Sequence, residues 1–285
     1  MMLAPTQDLL RAAMTSRPRY GVLALNVIGL EHAEAIVQGA EAERAPVILQ
    51  VSENAIRYRM GALEPIVAAC RELAVASSVP VALHLDHATT HDLCVRAAEA
   101  GMSSIMFDAS AASDQRNTKL TAIEARWAHG AGLSIEGELG IVGGKGGLVT
   151  VPGGLTDPPA AIAYVAATGV DALAVAVGSE HGMTQRLDLL DLDRIDALRE
   201  AVDVPLVLHG SSGISDHMLA EAVRRGITKV NLATQLNMAF TAAIRHYLDD
   251  HETVTDPRRY GEVGRAAIVE IVRDKCRLTG AAGRA

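Results

Sequence analysis

The sequence predicts an α/β chain folded as a (β/α)8 TIM barrel, on three observations. Short aliphatic and β-branched runs alternate with longer stretches of helical period; there are eight such runs; and a polar, chemically capable residue stands at the end of nearly every one. Strict alternation demands parallel strands, and the absence of a G-x-G-x-x-G after the first run argues against an open dinucleotide-binding sheet.

The strands are expected at Val22–Asn26, Val47–Val51, Val81–Asp86, Ser104–Asp108, Leu133–Glu138, Ala172–Gly178, Pro205–His209 and Ile227–Leu232. Between them, apolar residues three and four apart predict crossover helices over Glu31–Arg44, Gly61–Ser77, His91–Ala100, Asp114–Gly130, Pro158–Thr168, Leu192–Ala201 and Asp216–Arg225. A long amphipathic segment, Ala233–Leu248, follows the eighth strand, and Asp256–Cys276 predicts an additional C-terminal helix. With no linker, low-complexity run or shorter repeat, residues 1–285 are expected to form one barrel domain, with 233–278 as a C-terminal helical extension and Thr279–Ala285 frayed.

Composition narrows the function. The chain has 285 residues, 49% hydrophobic and 3% aromatic, with a net charge of −8. An acidic chain with two Phe, one Trp and no Lys/Arg cluster lacks the electrostatics and stacking surfaces of a nucleic-acid binder. No apolar run of membrane-spanning length and no secretory leader is visible. Cys70, Cys94 and Cys276 are odd in number and far apart, which disfavours a disulfide framework and suits a reducing, cytoplasmic setting. A small molecule is the expected partner.

Barrel enzymes work at the C-terminal ends of their strands. Those ends carry Asn26, Gln50 and Ser52, Asp86-His87, Asp108, Glu136 and Glu138, His181, His209-Gly210 and Asn231. A single His at a loop is as well explained by capping as by ligation. His87, His181 and His209, on three strand ends, are the arrangement in which neutral imidazoles hold a catalytic zinc with one position open. His84 shares a face with Asp86 and is expected to pack behind the site. His32, His91, His129, His217, His246 and His251 fall on helices and are expected on solvated faces. Gly210-Ser211-Ser212-Gly213 after strand seven and Asn231-Leu232-Ala233-Thr234 after strand eight occupy the loops where barrels commonly bind phosphate.

The strings His84-Leu85-Asp86-His87, Glu136-Gly137-Glu138-Leu139-Gly140, Gly178-Ser179-Glu180-His181-Gly182, Leu208-His209-Gly210-Ser211-Ser212-Gly213 and Lys229-Val230-Asn231-Leu232-Ala233-Thr234 resemble, in order, the class II zinc-dependent fructose/tagatose-bisphosphate aldolases. The resemblance extends to Asn26 and to Pro46-Val47-Ile48-Leu49-Gln50-Val51-Ser52. It implies a carbon–carbon lyase of carbohydrate metabolism such as glycolysis, reversibly cleaving a ketose phosphate or bisphosphate to dihydroxyacetone phosphate and an aldehyde. It implies Zn2+ on His87, His181 and His209, and Asp86 as the proton donor and acceptor. The substrate would rest on Asn26, Ser52, Gly182, Gly210, Ser211, Ser212, Asn231, Leu232, Ala233 and Thr234. Asp108 and Glu138 match acidic positions where the family can hold a second metal or a monovalent cation. Relatives of this kind are often dimers or tetramers, so a homo-oligomer is expected.

Two departures stand out. The family carries a carboxylate in a mobile loop after strand five, where this chain has Gly143-Gly144-Lys145-Gly146-Gly147. Gly146 cannot act as a base, so an alternative reading is a metal- and phosphate-binding barrel with weak or divergent activity. After His181, Met183-Thr184-Gln185-Arg186 replaces an aromatic and a phosphate-binding lysine, with Arg186 as a candidate substitute. Lys229, two residues before Asn231, invites comparison with Schiff-base chemistry, but a core lysine paired with an inward carboxylate is the better reading.

Overall fold

The computed structural model describes residues 3–140, 142 and 154–285. Eight strands form a closed, all-parallel barrel in sequence order: β1 (Val22–Asn26), β2 (Val47–Ser52), β3 (Val81–Ala88), β4 (Ser104–Phe107), β5 (Ser134–Leu139), β6 (Ala172–Val175), β7 (Leu206–Leu208) and β8 (Ile227–Leu232). Closure is the β1–β8 ladder, which aligns Ala24 with Asn231. Because helices cover the outside and side chains fill the inside, the strands are buried on both faces and are mostly aliphatic rather than alternating, with buried polar residues such as Gln50, His84, Glu136 and Lys229 among them.

The helices are α1 (Thr6–Thr15), α2 (Leu30–Glu43), α3 (Glu53–Tyr58), α4 (Glu64–Ala76), α5 (His91–Glu99), α6 (Asp114–Gly130), α7 (Pro158–Thr168), α8 (Leu192–Ala201), α9 (Asp216–Arg225), α10 (Thr234–Asp250) and α11 (Pro257–Leu278). Several start where a side chain satisfies an otherwise unpaired first-turn N–H: Ser52 accepts from Ala55, Thr90 from Leu93, Asp157 from Ala160, Asp191 from Arg194 and Ser215 from Met218.

The predicted strands and crossover helices are present with ends displaced by a few residues. Strand β6 stops at Val175 rather than Gly178 because Ala176 bonds to Thr156 instead of a neighbouring strand, at 2.8 Å to Oγ1 and 2.9 Å to the backbone N. Two helices were not anticipated. α1 lacks a side-chain cap and turns Leu9, Leu10 and Ala13 inward to contact β1, β3 and β8. α3 is only six residues long, too short to display a hydrophobic period.

The C-terminal helix completes the outer ring. α11 buries Gly264, Ile268, Val269, Val272 and Cys276, whereas α10 buries only Gln235 and Leu236. A Cβ on Gly39 of α2 would lie 2.7 Å from Val272 Cβ, so glycine permits the close approach of α2 and α11. The tail is not frayed: Thr279 and Ala281 are buried, and Gly283 and Ala285 donate to the Glu43 and Arg44 carbonyls at 2.8 and 2.9 Å. His32 is likewise no solvated helix residue, since it is buried with its ring centroid 5.1 Å from that of Phe240. All three cysteines are free and buried. Among the described residues no helix is long and apolar enough to cross a membrane.

Candidate metal centre

Strand alternation should turn Asp86 into the barrel mouth and the next residue outward. The structure evades this with an irregularity: the β3–β4 register shifts between Leu85 and Ala88, and His87 has a φ of 54°. A left-handed residue other than glycine costs about 1–2 kcal/mol, and here the kink brings two adjacent side chains to one cavity.

His87 meets His181 and His209 there. One nitrogen from each lies within 4.8 Å of the others, among the described residues. The rings stand edge to face, with centroids 4.8 Å apart for His87–His209, 5.4 Å for His87–His181 and 5.7 Å for His181–His209. A carboxylate fixes two of them from behind: His87 Nδ1 donates to Asp108 Oδ2 at 2.7 Å, and His209 Nε2 to Glu136 Oε1 at 2.8 Å. Asp108 is itself held by the Ser110 N–H at 3.1 Å and hydroxyl at 2.6 Å, both on Oδ1.

These bonds leave His87 Nε2 and His209 Nδ1 buried and, among the described residues, without a hydrogen-bond partner. Buried imidazole nitrogens left open at the front and tied to carboxylates at the back are what a divalent ion requires of its ligands, so the residues fit a metal. Glu138 Oε2 lies 3.2 Å from His209 Nδ1, placing it beside this point, as Asp108 lies behind His87.

The electrostatics agree. Burial would depress the His209 pKa, but the hydrogen bond to Glu136 and the charges of the Glu136 and Glu138 carboxylates beside it outweigh burial and push it up to about 9. An ion at Nδ1 therefore takes the place of a proton. Burial would raise Glu136, yet the Lys229 ammonium holds it well below the usual carboxylate range.

Asp86 sits next to the trio, its Oδ1 3.7 Å from His87 Nε2. Its other oxygen accepts from Asn26 Nδ2 at 3.1 Å, and Asn26 Oδ1 accepts from Gln50 Nε2 at 2.7 Å. Parallel register dictates this line, pairing Asn26 with Gln50 and Ser52 with Asp86 across adjacent strands.

The cavity measures about 590 Å3, and Asn26, Ser52, Asp86, His87, Asp108 and His181 line one part of it. Gly182, Gly210, Ser212, Asn231, Ala233 and Thr234 line it too, where the long helix α10 begins. Gly210 has a φ of 66°, and a Cβ there would fall 2.5 Å from the Glu180 carbonyl oxygen. Ser211 and Leu232 are fully buried and are not among the lining residues; the Ser211 hydroxyl donates to Leu208 O at 3.1 Å. Ser52 Oγ is occupied as the cap of α3.

Sequence reasoning missed Glu53, Asn54, Arg57 and Thr89, which also line the cavity. The Ser52 cap and the i,i+4 pair of Glu53 with Arg57, 2.5 Å apart, were the available signals. Arg186 turns away from the cavity and pairs with Asp216 at 3.1 Å, which corrects its candidacy for phosphate. Lys229 donates to Glu136 Oε2 at 2.6 Å, as the core-lysine reading expected. The loop Gly143–Gly147, with Lys145 and Gly146, lies outside the described residues.

The family described as "Fructose-bisphosphate aldolase class-II" matches residues 4–284. A fructose-bisphosphate aldolase of Geobacillus stearothermophilus is 38% identical over 288 residues, covering 100% of this chain and 99% of that protein. The crystal structure of the YdjI aldolase from Escherichia coli K12 superposes with a TM-score of 0.86 at 31% identity, covering 100% of each chain. The Fructose-bisphosphate Aldolase (Fba) from Campylobacter jejuni, 20% identical, shares the fold with a TM-score of 0.79 over 98% of this chain and 94% of that one.

Proposed function

The chain belongs to the class-II fructose-bisphosphate aldolase family and is an aldolase; on that premise we propose that it is zinc-dependent and reversibly cleaves a ketose phosphate or bisphosphate to dihydroxyacetone phosphate and an aldehyde. The observation that carries this reading is the trio His87, His181 and His209, two of them backed by carboxylates, beside Asp86.

His87, His181 and His209 would hold a zinc ion, which would supply Lewis-acid polarisation of the substrate. Asp86, oriented by Asn26 and Gln50, takes the proton of the C4 hydroxyl. As it does so, the C3–C4 bond breaks, its electron pair stays on C3 of the donor fragment, and C4 becomes the aldehyde carbonyl; a proton from solvent on C3 completes dihydroxyacetone phosphate, and Asp86 releases its own proton to solvent. In condensation Asp86 returns the proton. Gly182, the Gly210–Ser212 turn and Asn231–Thr234 hold the donor phosphate and so fix the reacting carbons against Asp86. Leu232 and Ser211 contribute from beneath, by packing the turn. Asp108 and Glu138 act first by orienting and neighbouring His87 and His209, and offer a second cation its ligands. Arg57, the one arginine or lysine lining the cavity among the described residues, is the cation available to an anionic group on the substrate, although it is already paired with Glu53.

The acidic, aromatic-poor composition supports a small-molecule partner and no nucleic acid or membrane, and the three free cysteines support a cytoplasmic setting. A dimer or tetramer is the assembly we propose from the family. The test is a cleavage assay over fructose and tagatose 1-phosphates and 1,6-bisphosphates. Release of dihydroxyacetone phosphate from at least one is expected; calorimetric binding with turnover of none would favour the metal- and phosphate-binding barrel instead.

A further inference from the structure

Lys229 is fully buried inside the barrel and does not line the cavity, so it neither meets substrate nor offers a nucleophile. It nevertheless occupies the centre of a continuous chain of polar side chains. On one side its ammonium donates to Glu136 Oε2 at 2.6 Å, and Glu136 Oε1 accepts from His209 Nε2 at 2.8 Å. On the other it donates to His84 Nε2 at 3.2 Å. An ammonium has no acceptor, so His84 must present the Nε2 lone pair and carry its proton on Nδ1. That proton points to Ser104 Oγ at 2.7 Å, and Ser104 donates onward to Thr6 Oγ1 at 2.6 Å. Thr6 Oγ1 lies 3.0 Å from Ser103 Oγ, which donates to Leu83 O at 3.2 Å.

Every link therefore has one sense. We infer that Lys229 is a positioning residue for the metal centre: through Glu136 it fixes the proton of His209 on Nε2 and turns Nδ1 toward the ion, and through His84 and Ser104 it ties that centre to Thr6 of α1 at the opposite end of the barrel. Burial of its partner and the geometry of its donors explain the choice of residue. Glu136 is 3% exposed, and a buried carboxylate needs a paired cation. Lysine, with three donors on one atom, serves a carboxylate and an imidazole at once, where a carboxylate-directed guanidinium would demand a planar fork. Helix α1 is thus more than a plug: its first residue ends the line that orients a ligand.

The inference rests on the metal-site reading, and its test separates the two. Zinc affinity is measured by competition with a chromophoric chelator for the wild-type protein, Lys229→Met, Glu136→Gln and the double variant, which removes the buried pair together. Each single variant is expected to bind zinc roughly 10–100-fold more weakly, and the double variant no more weakly than the worse single one. Long-range 1H–15N NMR supplies a second reading that needs no variant: His84 should carry its proton on Nδ1 in the metal-free protein, and His209 on Nε2 in the zinc-loaded protein. Wild-type zinc affinity in folded Lys229→Met, multiplicative losses in the double variant, or a His84 proton on Nε2 would overturn the inference. A wild-type protein that binds no zinc would overturn the metal reading itself, whereas zinc binding with unchanged variants would overturn this proposal alone.

Discussion

His87 Nδ1 lies 2.7 Å from Asp108 Oδ2, and this single contact fixes the tautomer and ring orientation of a residue whose backbone is already left-handed at a φ of 54°. Ring and backbone are held from opposite ends, so Nε2 is presented to the cavity with little freedom. Asp108→Ala is expected to lower zinc affinity about 10–100-fold while leaving the far-ultraviolet circular dichroism unchanged. Zinc competition against a chelator measures it, and an unchanged affinity would mean that Asp108 does not orient the ring.

Metal and proton roles separate by mutation. His209→Ala should abolish zinc binding, whereas Asp86→Ala should retain zinc and lose about 100- to 10,000-fold in cleavage rate. Metal analysis of the two purified variants beside their turnover decides; equal loss of metal in both would contradict the assignment of Asp86 to proton transfer.

Much of this was legible in the sequence because barrels place function at strand ends, and aliphatic runs mark strands whatever their exact limits. The three histidines and Asp86 are marked by their places at or after strand ends, and the family resemblance adds the roles expected of them and of the loops after strands seven and eight. The kink at His87 does not: regular alternation sends that side chain outward, and only the shifted register between Leu85 and Ala88 admits it beside Asp86. Arg57 stayed hidden for a different reason, since α3 is stabilised by one cap and one ion pair rather than by a hydrophobic face. The tail was misread as frayed because Gly, Ala and Arg carry no periodic signal, while its order comes from backbone hydrogen bonds to Glu43 and Arg44.

Gly210 is predicted to tolerate no side chain. Its φ of 66° and the 2.5 Å approach of a Cβ to the Glu180 oxygen set two backbones against each other. Gly210→Ala should cost at least about 1–2 kcal/mol of stability from the left-handed conformation alone and weaken binding of a phosphorylated substrate. Denaturant unfolding and the KM for that substrate report both effects, and a neutral variant would refute the close contact.

Acid should release the C-terminal helix. Hydrogen bonds from Arg277 and Arg273 hold Glu43 of α2 below its ordinary 4.5. Burial would raise Asp216 of α9, but its bond from Lys275 and the nearby Arg186 leave it below 3.8. Both folded-state values are depressed, so their stabilising contribution is present above the ordinary carboxylate range and disappears as pH falls through the lowered values. Hydrogen exchange, corrected for intrinsic rate, should therefore show α11 losing protection below about pH 4, the unfolded carboxylate range. Protection in α11 that is flat across that range would contradict the assignment.

The central claim is that one divalent ion on His87, His181 and His209 carries the aldol chemistry. Its most direct test is to strip the protein with a chelator and titrate zinc back while following dihydroxyacetone phosphate released from whichever ketose phosphate the enzyme cleaves. The account predicts no turnover in the stripped protein and full recovery at one zinc per chain; undiminished turnover without metal would contradict it.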